Sequence, residues 1–128
     1  MAMACQVQHY PMQVRSSRVH GKGIFSKSEI PAGAILYESD DYTVLPSAAY
    51  GSIQKSQDEH IMEDLLRWEN HSCLPNTELQ FSGHTILLMA TRPIHAGEEI
   101  VCDYRDTEGA IPAPFQCNCG HCDGIMIQ

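Results

Sequence analysis

Arg67-Trp68-Glu69-Asn70-His71-Ser72-Cys73-Leu74-Pro75-Asn76 sets an amide, an imidazole, a hydroxyl and a thiol between an apolar run and a proline turn. So many polar groups at one bend suit a site; the plainer reading is a polar loop that caps a helix and carries one inert cysteine. Three distant features weigh for the site. They are a glycine-flanked turn at His20-Gly21-Lys22-Gly23-Ile24, a hinge at Glu98-Glu99-Ile100-Val101-Cys102-Asp103-Tyr104, and a cysteine cluster at the C-terminus.

Around that stretch the chain reads as short strands punctuated by turns. Runs rich in Val, Ile, Leu, Tyr and Thr predict strands over Met12 to Arg15, Gly23 to Ser26, Ile35 to Ser39, Tyr42 to Leu45, Thr77 to Phe81, Thr85 to Ala90 and Ile100 to Tyr104. Ser82-Gly83-His84 predicts a hairpin turn. One helix is expected from about Gln57 to Trp68, with Ser56 and Glu59 as a capping box and Ile61, Met62, Leu65 and Leu66 as its apolar stripe. Ile30-Pro31-Ala32-Gly33 and Ile94-His95-Ala96-Gly97 echo one another, which implies two similar sheet entries. Thr107 to Pro114, with Gly109, Pro112 and Pro114, reads as a loop before the cysteine tail.

A chain of 128 residues is one domain with room for its own core. Eight Lys and Arg against sixteen Asp and Glu give a formal charge of -8. That balance argues against direct nucleic-acid binding, which needs a dense basic face, and suits a cationic protein partner drawn in by the acidic field. The N-terminus lacks a cationic segment followed by an apolar run, and no run of apolar residues is long enough to span a bilayer, so a soluble, intracellular protein without membrane contact is expected. Three of the six cysteines crowd into Cys117-x-Cys119-x-x-Cys122, a spacing better suited to one metal ion than to three disulfides. Cys5 and Cys102 read as ordinary thiols.

Gly21-Lys22-Gly23-Ile24-Phe25-Ser26, Ile30-Pro31-Ala32-Gly33, Asn70-His71-Ser72-Cys73-x-Pro75-Asn76 and Gly97-Glu98-Glu99-Ile100-x-x-x-Tyr104, in that order, resemble the motifs of SET-domain protein methyltransferases. The resemblance runs from about Val19 to Cys122. Phe115-x-Cys117-x-Cys119-x-x-Cys122, and Ser39 where histone-tail enzymes carry a tyrosine, are most similar to the SET-and-MYND branch, here without its zinc finger and helical extension. What the resemblance implies is a mainly β, β-clip fold of several small curved sheets with a knot-like core and one short helix. It divides the chain into a core over 1–106 and a post-SET, zinc-stapled tail over 107–128. The Asn70 and Tyr104 segments are expected to meet through a chain crossing.

The same resemblance implies an S-adenosylmethionine-dependent protein-lysine methyltransferase acting on a basic or histone-like protein. Cofactor-binding positions map onto Gly21, Lys22, Gly23, Asn70, His71, Tyr104 and Phe115, with His20 and Arg67 as weaker neighbours. Tyr104 is the expected catalytic residue, its phenol orienting amine and methyl. Cys73, Cys117, Cys119 and Cys122 are the expected ligands of a structural zinc, with His121 as a substitute for one thiolate. Tyr37, Tyr42 and Tyr50 are candidates for the channel wall. Ala113 stands where the branch often has an aromatic residue. With Ser39, it keeps open a second possibility, a catalytically degenerate SET module that binds a protein partner.

Overall fold

The computed structural model of the chain describes residues 10–56, 59–108, 115–122 and 124–127. Strands β1 (Met12–Ser16), β2 (Lys22–Ser26), β10 (Glu99–Cys102) and β7 (Asn70–His71) form one sheet in that order, and β3 (Ile35–Ser39), β9 (Thr85–Ala90) and β8 (Thr77–Ser82) a second. A third joins β4 (Thr43–Leu45), β6 (Glu59–Met62) and β5 (Ile53–Ser56), and β11 (Phe115–Gln116) pairs with β12 (Met126–Ile127) in the tail. The fold is mainly β, in several small sheets, as expected. Alternation sets the inner faces: along β9, Ile86, Leu88 and Ala90 are buried and their neighbours less so. They join Ile24, Ile30, Leu36, Ile61, Ile94 and Ile100 in one core. Among the described residues no helix is long and apolar enough to cross a membrane.

Most of the expected strands appear within a residue or two, and the β8–β9 hairpin closes through Gly83-His84. Gly83 has φ +60 at the first central position, which suits a turn of type II′. The two echoing turns pair with each other. Ile30 and Ile94 exchange backbone hydrogen bonds of 2.8 Å, and Gly33 and Gly97 repeat the same positive φ behind them.

The helix expected over Gln57 to Trp68 is not present. Residues 57 and 58 lie outside the described residues, Ile53–Ser56 and Glu59–Met62 are strands, and only Leu66–Trp68 turns, as a 3-10 helix. Ile61, fully buried, pairs with Val44 on one side and Ile53 on the other. These branched residues gain two strand neighbours, whereas a twelve-residue helix is marginal by itself. The local cap is Glu63, not Ser56: its carboxylate accepts from the Leu65 and Leu66 N–H groups, both at 2.8 Å. The strand expected up to Tyr104 stops at Cys102, and Tyr104–Asp106 forms a second 3-10 turn capped by the Asp103 carboxylate.

β7 runs parallel to β10, with Asn70 opposite Val101 and His71 opposite Cys102. Asn76, fully buried, ties the strands beyond that pair: its amide donates to the Glu99 carbonyl at 2.8 Å and accepts from Val101 N–H at 2.9 Å. The Asn70 and Tyr104 segments therefore lie side by side.

Candidate active site

Asn70 is almost wholly buried, and its amide nitrogen lies 3.0 Å from the His20 carbonyl, 3.0 Å from the Lys22 carbonyl and 2.8 Å from Glu99 Oε2. Three acceptors around one atom identify it as the nitrogen. Glu99 also takes the Ser17 hydroxyl on both oxygens, at 2.8 and 2.9 Å. The turn between β1 and β2 is thus clipped to β7 and β10. Gly23 is required there, because a Cβ would collide with the Glu99 carboxylate and come within 3.0 Å of the Asn70 nitrogen. Gly21, at φ +44, shapes the exposed bend, and Lys22 carries its ammonium 5.6 Å above the Trp68 ring.

His71 Nδ1 accepts the Tyr104 backbone N–H at 3.0 Å. Burial lowers the affinity of the imidazole for a second proton, against the pull of Asp103 3.5 Å away. The ring is therefore neutral with its hydrogen on Nε2, which faces Cys73 Sγ at 3.4 Å. Tyr104 donates its phenol hydrogen to the Glu69 carbonyl at 2.7 Å. Burial pushes that phenol well above its ordinary value, so it stays protonated. Phe115 packs edge-on to both rings, with centroids 6.0 Å from Tyr104 and 6.1 Å from His71.

The Sγ atoms of Cys73, Cys117, Cys119 and Cys122 lie within 4.8 Å of one another. Cys73 and Cys117 are 3.8 Å apart, and Cys119 and Cys122 3.9 Å. A tetrahedron of Zn–S bonds of about 2.3 Å has edges of about 3.8 Å, whereas a disulfide requires about 2.05 Å. The spacing suits one metal ion. Burial raises the Cys73 and Cys117 thiols, Cys117 to about 12; at Cys119, burial also opposes ionisation, but donated hydrogen bonds bring it down to about 6. Four thiols this close need a cation before all can ionise. His121 is exposed and gives the cluster only its backbone N–H, 3.3 Å from Cys119 Sγ, so the four-sulfur set fits and the histidine alternative does not.

A cavity of about 690 Å³ opens between these elements. Gly21, Lys22, Asn70, His71, Tyr104 and Phe115 line it, as do the weaker candidates His20 and Arg67; Gly23 supports it from behind. Of the three tyrosines considered for the wall, Tyr50 lines the cavity and bonds His20 Nε2 at 2.7 Å, while Tyr37 bonds Glu63 and Tyr42 bonds His84. Ser39 holds the turn after β3 through Asp41 N–H at 3.2 Å. Ala113 and Cys5 lie outside the described residues, as does part of the Thr107 to Pro114 loop. Cys102 is buried beside Glu69, whose proximity, after burial itself, raises the thiol. Sequence reasoning missed Glu69, Glu99 and Asn118. Asn118 docks the tail by donating to the Arg18 and Val19 carbonyls at 3.3 and 3.2 Å. The only sequence signal for Glu69 and Glu99 is their place inside the two polar stretches.

Comparison with known proteins follows the same residues. The SET domain family model matches residues 21–105. Methyltransferase flvH of Aspergillus flavus is 33% identical over 101 residues, covering 76% of this chain and 56% of that protein. Histone H3-lysine(4) N-trimethyltransferase ATX1 of Arabidopsis thaliana is 29% identical over 135 residues, 86% of this chain and 12% of its own. The crystal structure of KRYPTONITE in complex with mCHG DNA and SAH shares the fold, with a TM-score of 0.70 at 24% identity over 90% of this chain and 28% of that one. The chain spans about half the length of the fungal relative and a small part of the plant one.

Proposed function

The chain belongs to the SET-domain family, and we propose that it transfers a methyl group from S-adenosylmethionine to a lysine of a protein substrate. One observation carries this: a single cavity gathers the Gly21-Lys22 bend, Asn70, His71, Tyr104 and Phe115, and its size lies in the range of small-molecule sites. The names of the relatives point the same way.

The cofactor, when bound, supplies an electrophilic methyl on a sulfonium. Gly21, Lys22, Asn70 and His71 would hold it through the backbone of the two clipped segments, and Phe115 would cover it. The lysine nitrogen must be neutral to attack, and with an ordinary value near 10.4 this costs about 3 kcal/mol at pH 8. Leu66, Trp68 and Leu79 on the cavity wall lower that cost, because an apolar lining disfavours the ammonium. The nitrogen bonds to the methyl carbon, the sulfur keeps the electron pair of the broken bond, and the lysine proton leaves to solvent. Tyr104 has its one hydrogen committed to the Glu69 carbonyl, which leaves its oxygen lone pairs to align the amine and the electron-poor methyl.

Zinc on Cys73, Cys117, Cys119 and Cys122 is structural, since four thiolates leave no open position. His71 Nε2–H supports the Cys73 thiolate in the way outer-shell donors do. Free thiols in this cluster suit a reducing compartment. The core is assigned to residues 1–106 and the tail to 107–128, and the tail spacing with Ser39 favours the SET-and-MYND branch. A net charge of -8 favours a basic protein, histone-like or other, as substrate.

Calorimetry with S-adenosylmethionine and its demethylated product, then labelled methyl transfer into a pool of basic proteins with mass mapping of modified lysines, tests the proposal. Binding at one site and label on lysine are expected. No heat of binding at millimolar ligand removes the enzyme and leaves a partner-binding module.

A further inference from the structure

Glu69 is 4% exposed, lines the cavity, and takes part in none of the ion pairs among the described residues. Its Oε2 lies 2.6 Å from Thr77 Oγ1, and Thr77 Oγ1 lies 2.8 Å from the Val101 carbonyl. A hydroxyl has one hydrogen. Against an ionised Glu69 that hydrogen must choose between two acceptors, and one short contact then presses lone pairs together. Against a carboxylic acid both contacts are filled: Oε2–H donates to Thr77, and Thr77 donates to Val101.

The second carboxyl oxygen, Oε1, is buried without a partner of hydrogen-bond geometry among the described residues. The Cys102 thiol, a weak donor, is the other polar side chain that acts on this carboxyl. An orphaned oxygen costs far less on a neutral acid than on an anion. The surroundings agree. Cys102 at the end of β10, with Asp103, Tyr104 and Glu108 after it, brings acids and no cation among the described residues, and Arg67 turns its guanidinium onto the Trp68 ring, 4.9 Å away. Burial accordingly raises the Glu69 carboxyl to about 7.

The backbone of the same residue accepts the Tyr104 phenol at 2.7 Å. We propose that Glu69 is a positioning residue for methyl transfer: kept as a carboxylic acid, its side chain fastens residue 69 to β8 and β10 through Thr77 and Val101, and so fixes the carbonyl that aims the Tyr104 hydroxyl. This rests on the methyltransferase reading. Ionisation withdraws the donated hydrogen, pulls Thr77 off Val101 and loosens that carbonyl.

The experiment compares the whole wild-type chain with Glu69→Gln, which puts an amide N–H in place of the acid O–H and cannot ionise, and Glu69→Leu, which keeps bulk and removes both polar atoms. Thermal melting from about pH 5 to about pH 8.5, and single-turnover transfer of labelled methyl to basic proteins, are read on all three. The wild-type melting temperature should fall as pH rises through neutrality, relative to a flatter profile for Glu69→Gln. Glu69→Leu should lose about tenfold or more in rate with little change in cofactor affinity, and Glu69→Gln should rescue it. The rate ratio of Glu69→Gln to wild type should climb about tenfold between pH 6 and pH 8, following the neutral fraction of the acid. If Glu69→Leu fails to fold, Thr77→Val cuts the next link and should reproduce the rate loss. Identical melting profiles for wild type and Glu69→Gln would overturn the acid, and full-rate transfer by Glu69→Leu or Thr77→Val would overturn the positioning role. A wild type that neither binds cofactor nor transfers methyl removes the enzyme and this role together, while its melting profile still reports separately on the acid.

Discussion

Replacing Asn70 by Asp exchanges one NH₂ for an oxygen, and the contacts around it set the cost. The amide nitrogen faces two carbonyls at 3.0 Å and Glu99 Oε2 at 2.8 Å. An ionised aspartate there would repel Glu99 by about 6 kcal/mol at an effective dielectric constant of about 20. The cheaper course is to stay protonated. At pH 7 that lies about three units above the ordinary aspartate value and costs about 4 kcal/mol, and the single acid hydrogen leaves carbonyls unserved at about 1 kcal/mol. At pH 5 the proton costs only about 1.5 kcal/mol. Asn70→Asp should therefore destabilise by about 5 kcal/mol at pH 7 and about 2 to 3 kcal/mol at pH 5. Asn70→Ala loses hydrogen bonds but creates no charge conflict, since Glu99 keeps Ser17, and should cost about 2 to 3 kcal/mol at both. Urea unfolding at the two pH values measures this, and adding Glu99→Gln to Asn70→Asp should recover part of the loss at pH 7. If Asn70→Asp is as stable as wild type at pH 7, or milder than Asn70→Ala there, the amide does not clip the turn in the way described.

Tyr104→Phe should slow transfer by roughly a hundredfold or more while leaving cofactor affinity within a few fold, because a preorganised polar group acts mainly in the transition state; wild-type rates in single-turnover assays would make the residue packing alone. Purified protein should hold about one zinc per chain, measured by elemental analysis. Chelation should expose the tail over 115–127 to protease and weaken cofactor binding, since Phe115 is placed by the cluster; an unchanged digestion pattern argues against the staple. The pH dependence of stability follows from Glu69. Its carboxyl is raised on folding from 4.5 to about 7, so the stability it contributes is complete below about pH 4.5 and is lost as pH rises through 7. That loss amounts to about 3 kcal/mol at about 1.4 kcal/mol per unit, and a urea midpoint that climbs over this window in the wild type but not in Glu69→Gln would reverse the sign.

The site was more legible in the sequence than the architecture around it. Gly21-Lys22, Asn70-His71 and Tyr104 were singled out by their place in the ordered motifs that resemble the SET-domain signature, and these residues line one cavity. Cys117, Cys119 and Cys122 stood out by spacing because metal chemistry restricts residue type, and Cys73 came with the resemblance. The stretch from Ser56 to Trp68 misled for the opposite reason. Ile61, Met62, Leu65 and Leu66 fit a helical stripe, yet Ile61 also fits a strand center, and the choice was made by Val44 and Ile53 on either side, which no local pattern contains. Asn118 was invisible because a lone exposed asparagine has no pattern; only docking of the tail on the β1–β2 turn gives it partners.

Charge taught the same lesson in another form. A formal balance of -8 reads as an acidic surface, but formal charge does not say where the acids lie. Glu63, 2% exposed, accepts from Leu65, Leu66 and Tyr37, and Glu69 is held neutral in the mechanism proposed above. Glu98 is held below its ordinary value, against its burial, by the His95 N–H, Asn76 and Arg92, and Glu99 is held by Ser17 and Asn70. Glu63, Glu98 and Glu99 are structural acceptors whose charge is answered inside the fold. The field that would reach the basic substrate proposed above comes from exposed acids such as Glu29, Asp40, Asp41, Asp64 and Asp106. Neutralising Asp40 and Asp41 together should therefore slow association with a basic protein at low salt and leave the melting temperature unchanged, whereas neutralising Glu63 should do the reverse. The two effects belong to the same residue type and separate only by what surrounds each carboxylate.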